Sequence, residues 1–189
     1  SRQRAEARLG YNLEQTHTAA VVWGDEPDCD SSRLDRATEA LVHGANARRP
    51  LSVIASAATR WVWIPGDVAP DLGRVEEVVD RIAGVRVAVG STARGIEGFL
   101  RSHLDALTTQ RMLARLNSPQ RVAGFNAVEL VCLVSQDPDR AQQFVTQTLG
   151  KLATAGPDLR AAVLTFVNEQ CNASRAATRL YTHRNTLLR

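Results

Sequence analysis

Residues 51–64 read LSVIASAATRWVWI: two short, apolar, β-branched runs, Leu51 to Ser56 and Arg60 to Ile64, parted by a few small residues. Runs of this kind are strands, and so short a connection makes them a hairpin, closed by Pro65-Gly66-Asp67. What flanks the hairpin decides the fold. Upstream, Leu34, Ala37, Thr38, Leu41, Val42 and Ala45 recur at helical spacing behind Ser31 and Ser32, and before them Thr18 to Trp23 (TAAVVW) reads as a strand entering the turn-rich GDEPDCD. Downstream, Asp71 caps a helix with apolar face Leu72, Val75, Val78, Val79 and Ile82, and Val85 to Val89 (VRVAV) alternates as a fourth strand. A long amphipathic helix carrying Ile96, Phe99, Leu100, His103, Leu104 and Leu107 trails it. The order β-α-β-β-α-β is the split βαβ, ferredoxin-like arrangement, so the expected class is α/β (α+β) with an antiparallel sheet.

Outward from this core, residues 1–13 read as a linker helix interrupted at Gly10, and 14–125 as the α/β domain, with Arg121 to Phe125 as a last edge strand. Residues 126–189 read as helical. Val128 to Val134 is one helix, and Asp137-Pro138 opens another whose face is Ala141, Phe144, Val145, Thr148, Leu149 and Leu152. Gly156-Pro157-Asp158 begins a third, with Leu159, Ala162, Val163, Phe166 and Val167.

The 189 residues, 44% hydrophobic and 23% charged, suffice for one sizeable core and a small appendage. No apolar run approaches the ~20 residues of a membrane span and no signal-peptide pattern opens the chain, so a soluble, cytoplasmic protein is expected. Cys29, Cys132 and Cys171 are odd in number and form no CxxC, which argues against a disulfide framework or a zinc site. His17, His43, His103 and His183 have no ligand-spaced partner, so no metal and no cofactor are expected. His103, on an apolar helix face, is expected to be a satisfied core histidine. Gly90, Gly95 and Gly98 in GSTARGIEG miss the phosphate-binding spacings and read as a strand-to-helix turn.

The chain closes on NASRAATRLYTHRNTLLR, residues 172–189. Ala173, Ala176, Ala177 and Leu180 form a narrow small-residue stripe, and Thr182 is placed to cap a second helix from His183. Two short helices about a tight turn make a helix-turn-helix candidate. From Ala173 onward there are Arg175, Arg179, Arg184 and Arg189 and no acid, a charge of +4, so the formal total of +3 leaves the preceding residues at −1. On an ideal helix from His183, Leu187 and Leu188 share one side with Arg184 near them, while Asn185, Thr186 and Arg189 point away and are placed to reach base edges. Arg175, Arg179 and Arg184 suit phosphates.

The run SRAATRLYTHRNTLLR resembles the C-terminal helix-turn-helix of PucR-type (CdaR-like) bacterial transcriptional regulators, through His183 followed by Arg184-Asn185-Thr186-Leu187. RAEARLGYNLEQTHTAAVVW (4–23) and RVAVGSTARGIEGFLRSHLDAL (86–107) are similar to the GGDEF-like middle domain of that family. The resemblance implies a regulator of a catabolic operon that responds to a metabolite effector, binds double-stranded DNA and acts as a homodimer. It also implies that the last helix continues past Arg189, so the chain is read as a fragment with a truncated helix-turn-helix and weak or absent specific DNA binding. Cyclases of the GGDEF fold need acids after the first strand and in the central hairpin. Here the hairpin reads SAATRWVWIP, with no acid; Asp25, Asp28 and Asp30 after the first strand are a set that could bind a cation, but three acids in a Gly/Pro-containing loop are more often a solvated turn, so no catalysis is expected.

Within the hairpin, Trp61 and Trp63 face one side and Val62 and Ile64 the other. The indole side is therefore a candidate interface, covered by a second subunit or by the C-terminal helices, with ordinary burial inside one chain as the competing explanation. The alternative to a DNA-binding regulator is a dimerisation or ligand-sensing module that makes no DNA contact.

Overall fold

The computed structural model describes residues 2–26, 29–135, 137–183 and 185. The chain divides into two compact units, Ser1–Leu133 and Val134–Arg189. The first runs α1 (Arg2–Leu9), β1 (Thr16–Gly24), α2 (Ser31–Gly44), β2 (Leu51–Ser56), β3 (Thr59–Pro65), α3 (Leu72–Val79), β4 (Val85–Arg94), α4 (Gly95–Arg115), β5 (Val122–Gly124) and α5 (Phe125–Val134). The sheet order is β2-β3-β1-β4-β5, with β1 antiparallel to both β3 and β4. A split βαβ unit dictates this: α2 and α3 each carry the chain over one strand, and the gap each leaves is filled by β3 or by β1. The edge strand β5 pairs parallel to β4.

Central β1 is buried on both faces, Ala19, Ala20, Val21 and Val22 all at 0% exposure. Ala20 and Val22 join Val62, Ile64, Val87 and Val89 under Leu34, Ala37 and Leu41 of α2 and Val75 and Val79 of α3. Each fully buried Val or Leu of this set contributes about 1.5–3 kcal/mol. Asp30 and Asp71 cap the two helices, each carboxylate accepting from first-turn backbone N–H groups.

Helix α4 covers the opposite face, and the glycines explain how closely. A Cβ on Gly90 would lie 1.9 Å from the Ser102 carbonyl oxygen, and one on Gly98 2.6 Å from the Ala93 carbonyl carbon. Both therefore permit helix-on-strand contact. Of the three glycines read as a turn, Gly95 turns the chain, at φ +77°, while β4 runs on through Gly90 to Arg94. A bulge in the β1–β4 pairing between Thr18 and Ala20 leaves the Ala19 N–H outside the ladder, and the fully buried Ser102 hydroxyl accepts it at 2.6 Å. Tyr11 and Leu13, expected within a linker helix, are instead buried in this layer with Ala5 of α1 packed beside them.

The second unit comprises α6 (Pro138–Leu149), a 3-10 turn (Gly150–Thr154), α7 (Pro157–Asn168) and α8 (Ala173–Arg179). The face expected to continue to Leu152 breaks at Gly150, at φ +52°. Ala176 and Ala177 of α8 are buried, whereas Phe144 and Leu149 of α6 and Leu159 and Val167 of α7 are exposed.

Candidate functional site

Two places bear on function, and the C-terminal turn is the first. Between α7 and α8, Gln170 and Cys171 both take left-handed backbone angles, φ +54° and +58°. The reversal is held by Cys171 N–H donating to Phe166 O and Asn172 N–H to Glu169 O, and the Asn172 side chain then caps α8 through Ser174 N and Arg175 N. The sequence stripe explains the packing: Ala176 and Ala177 are buried because their small side chains let the two backbones approach. At the far end Tyr181 is left-handed (φ +50°) and the Thr182 N–H donates to Ala177 O at 2.9 Å, closing α8.

Arg175 and Arg179 do not stand free. Arg175 Nε lies 2.8 Å from one carboxylate oxygen of Glu169, and Arg179 Nη1 lies 2.9 Å from the other. Thr182 is half-buried, and His183 and Asn185 are exposed. Arg184, Thr186 and Arg189, with Leu187 and Leu188, lie outside the described residues, as does most of the second helix expected from His183.

The second place is the loop after β1 and the β2–β3 hairpin. Asp25 is 2.7 Å from Arg86 Nε, and Arg86 also donates to Ser118 O. Asp30 accepts from the backbone and hydroxyl of Ser32, bonds that hold its carboxyl below the usual range; Asp28 lies outside the described residues. The hairpin tip is tied down by Arg60, a residue only 6% exposed, whose guanidinium donates to Ser31 Oγ at 2.7 Å and to Ser56 O and Thr59 O, and lies 3.5 Å from Asp35. The carboxylates here are thus engaged by arginines and by a helix cap. No cluster of three or more His, Cys, Asp or Glu side chains is placed to hold a metal among the described residues.

On the other sheet face Trp63 is 5% exposed, stacked on Phe99 of α4. It is this same-domain helix that covers the indole, so a second subunit or the C-terminal helices are not needed to explain the burial of Trp63. Trp61 is half-buried beside His103, ring centroids 4.6 Å apart. His103 is not the satisfied core residue expected: its Nδ1 is buried with no hydrogen-bond partner among the described residues, and its ring lies against Trp61 and Trp63. His17 is the satisfied one, fully buried with Nδ1 2.9 Å from the Tyr11 hydroxyl and Nε2 3.2 Å from Leu13 O. Burial pushes the Tyr11 hydroxyl up to about 12.

This topology meets a known family: the GGDEF-like domain matches residues 1–112. The chain belongs to the GGDEF-like family. Among solved structures it is similar to the regulator of polyketide synthase expression from Bifidobacterium adolescentis, at 13% identity and a TM-score of 0.48, over 97% of this chain and 76% of that one. No curated protein matches it.

Beside this GGDEF-like assignment, one arginine of the domain, Arg60, and one acid of the second unit, Glu169, hold positions that the sequence pattern does not flag. Arg60 shares the register of Val62 and Ile64, both on the core-facing side of β3, so a charge at that position was the available signal. Glu169 lies just ahead of the acid-free basic run that begins at Ala173. No described helix is long and apolar enough to cross a membrane.

Proposed function

We propose that this chain is a DNA-binding transcriptional regulator of the PucR/CdaR type, in which a non-catalytic GGDEF-like domain accompanies a C-terminal helix-turn-helix. The observation that carries the reading is the α7–α8 turn, packed through Ala176 and Ala177 and ending in exposed His183 and Asn185. An exposed amide just beyond a short, arginine-bearing helix is the kind of group that reads an adenine edge once phosphates have positioned it. The hairpin supports a non-catalytic domain: Ser56-Ala57-Ala58-Thr59 has no acid, and Asp25 already has Arg86 as its counter-charge. In the intact protein we expect a cytoplasmic homodimer on paired half-sites, controlling a catabolic operon in response to a small-molecule effector.

The test is a titration of a labelled random-sequence duplex with this chain at rising salt. The reading expects weak binding that weakens linearly in log–log form as salt rises; no binding even at low salt would refute it.

One observation favours the alternative, a dimerisation or ligand-sensing module without DNA contact. Ile96, Leu100 and Leu104 recur every fourth residue along α4 and are all about half exposed, an apolar stripe suited to a second copy. Loss of dimerisation in a Leu100→Glu, Leu104→Glu variant, together with no duplex binding by the parent chain at any salt, would favour it.

A further inference from the structure

We infer that Glu169 is an internal stand-in for a DNA phosphate, holding Arg175 and Arg179 in the free protein and yielding them when a duplex docks. The inference rests on the DNA-binding reading above and names a regulation of that same site. Arg175 and Arg179 are four residues apart and so share one side of α8. Each reaches a different oxygen of the one carboxylate, at 2.8 and 2.9 Å. That is how a backbone phosphate, with two free oxygens, would be held by the same pair. The arrangement is asymmetric in exposure. The Glu169 side chain is 12% exposed, while those of Arg175 and Arg179 are 58% and 70% exposed. The acid is thus seated in the turn with the guanidinium groups lying over it toward water.

The left-handed pair Gln170 and Cys171 makes this possible, since it folds the chain back and brings Glu169, the residue just past α7, against α8. With the carboxylate in place the local charge is +1, and without it +2. A phosphate must displace Glu169 or share its arginines with it. Either way, sequence-independent attraction is tempered, and discrimination is left to the groups that reach base edges.

The experiment is fluorescence anisotropy of a fluorescein-labelled random-sequence duplex, titrated at several salt concentrations with the full chain, with E169Q, with the R175Q/R179Q double variant, and with E169Q added to that double variant. For E169Q alone we expect about tenfold tighter binding at low salt, and a slope of log K against log salt steeper by about one. In the double variant E169Q should have a much smaller effect on both quantities, limited to relief of the carboxylate's own repulsion of phosphate. Glu169→Asp keeps the charge but is too short to span both guanidinium groups, and should fall between the parent and E169Q. It serves as the second variant if circular dichroism shows that E169Q has lost helix. The inference is overturned if E169Q leaves affinity and slope unchanged or weakens binding, or if it tightens binding equally once the arginines are gone. If R175Q/R179Q binds as the parent does, it is the assignment of this face to DNA that fails. If the double variant loses binding and E169Q has no effect, the inference fails by itself.

Discussion

The indole of Trp63 lies flat on the ring of Phe99, ring centroids 4.4 Å apart and planes inclined by 4°, with its N–H donating to the Phe99 carbonyl oxygen at 3.1 Å. This contact fastens α4 to β3, while Gly90 and Gly98 let the same helix down onto β4. Replacing Phe99 by alanine removes the ring and leaves the backbone acceptor. The expected cost is roughly 2–3 kcal/mol, with a loss of near-ultraviolet tryptophan ellipticity. An unchanged urea midpoint would show that the stack holds nothing in place.

Burial lowers the pKa of both His17 and His103 from the ordinary 6.5; at His17, hydrogen bonds to backbone carbonyls oppose the larger effect of desolvation. A histidine whose folded pKa is depressed takes its proton first in the unfolded state. Its contribution is therefore complete above the unfolded value and is lost as pH falls below it. Urea midpoints measured from pH ~7.5 down to ~5 should fall once pH drops below about 6.5, and the fall should shrink in a His103→Phe variant. A midpoint that rises on acidification would contradict this.

Gln170 and Cys171 occupy backbone conformations that favour glycine. A side chain in the left-handed region costs about 1–2 kcal/mol, and glycine's extra unfolded-state freedom returns about 0.5–1 kcal/mol of that. Gln170→Gly or Cys171→Gly should each slow hydrogen exchange in α7 and α8, by a net gain of up to about 1 kcal/mol. Faster exchange in both variants would mean that the side chains hold the turn by contacts worth more than the strain.

The loop after β1 should be inert toward nucleotides. Incubation with GTP and Mg²⁺ is expected to leave the nucleotide intact, and Asp25→Asn should lower stability slightly by unpairing Arg86, which is 21% exposed in its side chain. Turnover that disappears in Asp25→Asn would make the domain an enzyme.

The strands and their order were legible in the sequence because alternation and β-branching are local properties. The hairpin at 51–64 and the VRVAV run needed no knowledge of what lay beside them. What escaped reading depends on which elements meet. Gly90 matters because α4 crosses β4 at that residue, and nothing in GSTARGIEG says so. Glu169 acquires its role only after a left-handed turn has reversed the chain, and neither Gln nor Cys advertises such a turn. Arg60 looks like an ordinary strand residue until its hydrogen bond to Ser31, 29 positions away, is seen.

Regulation by this protein requires that the C-terminal turn meet DNA. Genome-wide occupancy of the intact protein, compared with an Asn185→Ala, Arg189→Ala double variant, measures that directly. Discrete, reproducible sites for the parent that vanish in a stably folded variant are the predicted result. The same sites in both, or none for the parent, would contradict it.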